Sequence, residues 1–227
     1  MATPVEFRVL GGTDGFRDIA TNEPGPGKMN PETIAGLTSA LIGYQQERNV
    51  SGPIVVAQDT RPSGLALRNA ALSAAYVHGV ETIDAGVVPT PAAQKIAAEI
   101  GAMATVVLTA SHNPSEYNGW KGMLGSSKPT KADSKEISRR YWQQVQSGLT
   151  IPVDRPKNTH EQTEWGQWYI NKVVLDIEGE FGSLPLAGKL FVIDGAHGAA
   201  SYVTPQVFRA LGARVETFSC DEGTINE

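Results

Sequence analysis

Thr105-Val-Val-Leu-Thr-Ala-Ser-His-Asn-Pro-Ser-Glu-Tyr-Asn-Gly-Trp-Lys-Gly-Met123 is the stretch on which the reading of this chain turns. Its opening, Thr105 to Leu108, is short, apolar and β-branched, the pattern of a strand covered on both faces. Pro114 disfavours the helical region for Asn113, so the strand runs into a loop and not a helix. Ser111 is therefore expected just past the carboxyl end of a sheet strand, the edge of an open α/β sheet where ligands bind. Asn118-Gly119-Trp120-Lys121 is expected to follow as a tight turn carrying a cation.

Three chemistries compete for Ser111. It can be a polar loop residue that satisfies a turn. It can be a hydrolase nucleophile, but Ala110 and His112 flank it where a G-x-S-x-G elbow needs glycines, and side chains at successive positions diverge, so His112 is a poor base. It can carry a phosphoryl group, which a nearby cation and free turn amides would suit.

Working outward, the flanking chain alternates strands and helices. Val5 to Leu10 alternates apolar and polar as a half-buried strand and enters a glycine-rich loop, Gly11 to Arg17. Thr21 to Met29 is a Pro/Gly loop. Asn30 and Pro31 are the cap and first residue of a helix running to about Val50. Pro53 to Ala57 is a buried strand ending at Asp59-Thr60-Arg61-Pro62-Ser63, with a helix to His78 behind it. That turn is either an anion site or a helix cap supplied by Asp59 and Ser63. Glu81 to Ala85 is a strand, Gly86 to Pro91 a turn, and Pro91 to Ile100 a helix. The alternation predicts an α/β fold, a three-layer α/β/α domain with a mostly parallel mixed sheet. The strand ends at Asp59, Gly86 and Ser111 should share one edge. After a helix from Asp133 to Ser147 and a linker, residues 151–227 read as the beginning of a second, similar α/β domain. It has a helix with an aromatic packing stripe (Trp165, Trp168, Tyr169), a buried strand at Leu190 to Ile193, a glycine-rich turn through His197, a helix and a last strand. Domains are thus placed at 1–150 and 151–227. The turn Asp194 to Ala200 lacks the lysine of a P-loop and the G-x-G-x-x-G of a dinucleotide site. His197 reads as an orienting turn residue.

The chain has 227 residues and a formal charge of −5. The charge, with no Lys/Arg cluster, argues against nucleic acid as a partner. The single cysteine fits a reducing compartment, and no apolar run is long enough to span a bilayer, so a cytoplasmic protein without a membrane partner is expected.

TASHNP followed by YNGWK resembles the phosphoserine loop of the α-D-phosphohexomutases, the phosphoglucomutase/phosphomannomutase family. GTDGFR (12–17) is similar to the family's GTxGxR, with Asp18 where the family usually continues with glycine. Asp59-Thr-Arg61-Pro-Ser63 is similar to D-x-R-x-S, which helps hold the serine loop. GVVPTP (86–91) is similar to a structural turn. The resemblance implies an enzyme interconverting hexose 1- and 6-phosphates through a phosphoserine and a bisphosphorylated sugar. The stretch 190–226 looks most like the phosphoglucosamine mutase branch, with glucose and mannose phosphates as alternatives. It implies Ser111 as phosphoryl carrier, Lys121 as general acid/base and Arg17 as charge stabiliser. His112 joins this catalytic set and, with Asn113, shapes the loop. Thr13, Gly15, Asp59, Arg61, Ser63, Asn113 and Asn118 would form the surrounding phosphate loops. Mg²⁺ is implied as cofactor, ligated here only through the phosphate on Ser111, with hexose 1,6-bisphosphate as activator. The family's metal loop DGDxDR and its sugar and phosphate loops are not found in these residues, so the 227 residues are expected to fold but turn over little or not at all. A non-catalytic phosphosugar-binding module, and self-association through a truncated second domain, are the other readings.

Overall fold

The computed structural model describes residue 10 and residues 15–153, 164–221 and 223–226. The first sheet contains β1 (Phe16–Ile19), β2 (Ile54–Gln58), β3 (Thr82–Val87), β4 (Ala104–Leu108) and β5 (Tyr117–Leu124), in the order β1-β5-β4-β2-β3. β2 pairs in parallel with β3 and β4, while β5 is antiparallel to both β4 and β1. Four strands therefore point one way and β5 alone runs against them, which is the mixed and mostly parallel sheet expected. Every residue of β2 and β4 is buried, as their unbroken apolar runs require when helices cover both faces.

Helices α1 (Pro31–Glu47), α2 (Gly64–Val77) and α4 (Lys131–Gln146) cover one face. Their core with that face includes Leu37, Leu41, Leu72, Val56, Val106, Leu108, Trp120 and Trp142. α1 starts as anticipated: Asn30 accepts a hydrogen bond from the Thr33 amide at 2.9 Å, with Pro31 at the first helical position. α4 starts with a capping box in which Thr130 and Asp133 each satisfy the other's backbone amide. α3 (Thr90–Glu99) and α5 (Trp165–Phe181) lie on the other face, over Val55, Ala57, Val107 and Met123.

The second unit is a parallel pair, β6 (Leu190–Asp194) and β7 (Arg214–Phe218), joined by α6 (Val203–Ala210). α5 and α6 share a small core of Ile170, Val203, Val207 and Leu211. The aromatic stripe of α5 does pack: Trp165, Trp168 and Tyr169 rest on the α3 core.

Several local expectations are corrected. Asn118 to Lys121 is not a turn but lies within β5. Arg17 lies in a strand, β1, and not in a loop. β6 is not buried on both faces: Phe191 stacks edge-on against Phe208 at 4.7 Å, while Leu190 and Val192 are exposed because α6 covers only one side. Asp59 and Ser63 do not cap α2, which begins with no side-chain cap. The strand read at residues 5–10 and the loop residues 11–14 fall, apart from Leu10, outside the described residues. No helix among the described residues is long and apolar enough to cross a membrane.

Trp120 is 4% exposed in the main core and donates its indole N–H to Thr38. Trp120→Ala is expected to cost about 3–5 kcal/mol, whereas Thr130→Ala, which only opens the capping box, should cost about 1 kcal/mol. Urea unfolding of both variants checks the ordering.

Candidate functional site

The parallel strands β2 and β4 end side by side, and the Asp59 amide donates to the Leu108 carbonyl across their exits at 3.0 Å. The chain then loops from Thr109 to Glu116 and returns as β5. Within this loop Ser111 is exposed and holds a left-handed backbone, φ +58°. Its amide donates to Thr109 Oγ1 at 3.1 Å, and the Asn113 amide closes a turn on the Ala110 carbonyl at 3.2 Å. His112 is exposed and Asn113 half-buried. A left-handed serine costs about 1–2 kcal/mol, so the loop needs something to hold it.

Arg61 supplies that hold. Its side chain is fully buried, and its Nε donates to Asp59 Oδ2 at 3.0 Å. Nη2 donates to the carbonyls of Ser111 and Asn113, each at 2.9 Å. Nη1 donates to the carbonyls of Pro114 and Tyr117, the latter at 2.9 Å. One guanidinium thus gathers three loop carbonyls and that of Tyr117 at the start of β5, and Asp59 balances its charge. Ser63 and Asn118 form a second brace. Asn118 Nδ2 donates to Ser63 Oγ at 2.8 Å, and Asn118 Oδ1 accepts from the Gly119 amide at 2.7 Å. Asp59 and Ser63 therefore serve the serine loop and not their own helix.

The two cations come from neighbouring strands. Arg17 on β1 pairs with Gly119 on β5, and Lys121 lies two residues along β5, so both occupy the face of Gly119. Gly119 makes room for this. A Cβ there would lie 2.4 Å from the Thr109 carbonyl, 2.9 Å from that of Phe16 and 3.0 Å from Arg17 Cγ. Gly15, at φ +91°, does the same against Lys121, whose Cγ a Cβ would meet at 3.0 Å. Thr13 falls outside the described residues.

This layout coincides with a known domain type. The family model for the phosphoglucomutase/phosphomannomutase alpha/beta/alpha domain I matches residues 8–147. The chain belongs to the phosphoglucomutase/phosphomannomutase family. It is 33% identical over 221 residues to a phosphoglucosamine mutase of Carboxydothermus hydrogenoformans, covering 95% of this chain and 47% of that protein. It is 35% identical over 226 residues to a phosphoglucosamine mutase of Chlamydia felis, covering 95% of this chain and 46% of that one. A solved phosphoglucomutase/phosphomannomutase family protein of Burkholderia thailandensis superimposes with a TM-score of 0.72 over 94% of this chain and 44% of its own, at 23% identity, a likeness of fold. The chain spans about half the length of the curated relatives it matches.

Family membership raises the question of Mg²⁺. Among the described residues no three His, Cys, Asp or Glu side chains gather where they could hold a metal ion. The Asp59 carboxylate beside the serine loop is engaged by Arg61. These residues do not by themselves make a divalent-cation site.

Sequence reasoning missed Asn226 and the role of Gly119. Asn226 donates to the Ser111 and Asn113 carbonyls at 3.0 and 2.8 Å. Its only sequence signal was its place in Gly223-Thr-Ile-Asn226, which carries no hint of a target so far along the chain.

Arg61→Ala leaves the Asp59 carboxylate buried without its partner and removes the guanidinium that gathers four carbonyls. Chemical denaturation should show a loss of about 3–5 kcal/mol, and Arg61→Lys, with one point donor group in place of a planar fork, should recover only part of it. Gly119→Ala should separate β1 from β5 and destabilise the fold by more than a strand glycine-to-alanine change at an open position, read by the same measurement.

Proposed function

We propose that this chain is the phosphoserine-bearing part of a phosphohexomutase, an intramolecular phosphotransferase interconverting hexose 1- and 6-phosphates. Glucosamine phosphate is the favoured sugar, from the relatives named phosphoglucosamine mutase. One observation carries the reading. An exposed serine at a parallel-strand exit sits in a loop whose carbonyls are drawn together onto a buried guanidinium. Carbonyl lone pairs engaged in this way do not oppose a dianion on the serine, and Lys121 on β5 and Arg17 on β1 are the cations proposed to attract it.

In the proposed cycle Ser111 Oγ carries the phosphoryl group. A sugar hydroxyl attacks the phosphorus, the sugar oxygen–phosphorus bond forms and the Ser111 oxygen–phosphorus bond breaks. Lys121 takes the hydroxyl proton and the departing Ser111 oxygen is protonated from solvent; in the return transfer the Ser111 hydroxyl gives up that proton as it attacks the second phosphate of the bisphosphorylated sugar, and Lys121 returns its proton to the sugar oxygen released. Arg17 balances charge on the group in flight. His112 and Asn113 shape the loop, Gly15 clears space for Lys121, and Asp59, Arg61, Ser63 and Asn118 brace it, with Thr13 in the adjoining phosphate loop. Mg²⁺, when bound through the phosphoserine and ligands beyond these residues, would add charge neutralisation. Hexose 1,6-bisphosphate would prime the serine. With only half the length of its relatives and no metal-binding cluster among the described residues, the 227-residue chain alone is proposed to turn over little or not at all.

Intact mass tests the carrier. After incubation with glucose 1,6-bisphosphate the wild-type chain should gain one phosphate and Ser111→Ala none; equal labelling of both removes Ser111 from the mechanism. Coupled assays of the same wild-type sample with hexose 1-phosphates should show no sustained turnover.

Self-association has one observation in its favour, the uncovered outer face of the second unit, where Leu190, Val192 and Phe218 are each more than half exposed. Light scattering at rising concentration should then show a mass above that of the 24.2 kDa monomer.

A further inference from the structure

Two contacts bind the second unit to the strand exits of the first sheet. Thr60 Oγ1 donates to the His197 carbonyl at 2.6 Å, and Asn226 Nδ2 donates to the carbonyls of Ser111 and Asn113. Those are the same two oxygens that Arg61 Nη2 holds. A carbonyl oxygen has two lone pairs, so one donor from each unit saturates both oxygens. Both partners of the Asn226 amide are acceptors, which fixes its nitrogen toward the loop.

The second unit aims this amide. The Asn226 amide N–H donates to the Ala196 carbonyl at 2.9 Å, and its backbone sits at φ +67°, where asparagine is among the few non-glycine residues tolerated. Ala196 and His197 are themselves left-handed, and the His197 ring packs where a Cβ on Gly223 would stand, 2.4 Å from Nδ1. Gly223 lets the last segment pass under the ring and bring Asn226 to the serine loop.

We propose that Asn226 is a positioning residue for the serine loop. With Arg61 it holds the left-handed Ser111 and so sets where Oγ points. The proposal rests on Ser111 as the phosphoryl carrier and adds that seating of the second unit is coupled to presentation of that oxygen. When the second unit lifts from the strand exits, each of the two carbonyls regains an unpaired lone pair beside the phosphorylated residue, and the loop loses one of its two clamps.

Two variants of the 227-residue chain test this. Asn226→Asp keeps the shape but has no N–H to donate; Asn226→Gly keeps access to the left-handed backbone but deletes the amide. Amide hydrogen exchange read peptide by peptide should rise about tenfold over residues 109–117 in both, within the range for losing the two side-chain hydrogen bonds, while β2 and β4 peptides and the melting temperature stay near wild type. Phosphate uptake from glucose 1,6-bisphosphate should slow by a similar factor. Loop exchange equal to wild type in both variants overturns the proposal, as does equal loosening of the whole first sheet. Absence of uptake by the wild type strikes the carrier reading alone, because exchange reports on the loop without it.

Discussion

A single buried guanidinium governs the site. Arg61 lies among apolar helices and strands with its charge offset by Asp59 and its remaining donors on loop carbonyls. A buried cation is tolerable only when paired and fully hydrogen-bonded. The loop is the part of the chain that bends to meet this demand. Its carbonyls converge on one planar fork, and a backbone that converges so tightly needs a residue in the left-handed region. Ser111 is that residue. The exposure of its side chain and the inward turn of its carbonyl follow from the same bend.

The reversal of β5 sets where the two cations lie in the sheet. A crossover helix after β4 would have carried the chain away from the strand exit. A direct return along β4 instead keeps Lys121 beside Val107, and β1 then adds Arg17 on the outer flank. Gly119 is the cost in strand propensity that this arrangement accepts, since only a residue without a Cβ fits between the Thr109 and Phe16 carbonyls.

The alternation of apolar runs and capped helices made the layered fold legible from residues alone, because burial on both faces writes unbroken runs such as Ile54 to Ala57 and Thr105 to Leu108. The serine loop was legible from Pro114 and the polar residues that stop the run. Asn118-Gly119 was misread because Asn-Gly is a strong local turn signal. Here tertiary bonds from Asn118 to Ser63 and the crowding around Gly119 override it. Asp59 and Ser63 were ambiguous for a related reason. Cap residues and loop braces use the same side chains, and only the partner tells them apart. Asn226 was illegible because its acceptors lie 115 and 113 positions away and are backbone atoms, which leave no trace in side-chain chemistry.

Helix α5 has a consequence for how the chain comes apart. Its Trp165, Trp168 and Tyr169 lie on α3 and the first sheet, while Ile170, Val173 and Ile177 serve the core beneath α6. Lys95–Asp176 and Lys172–Glu99 pin the same helix to α3. An element shared between two cores cannot leave one without baring the other, so melting of the halves is tied together. The edge-to-face indoles of Trp165 and Trp168, 5.4 Å apart on that seam, make the chain's own fluorescence a gauge of whether the halves remain joined.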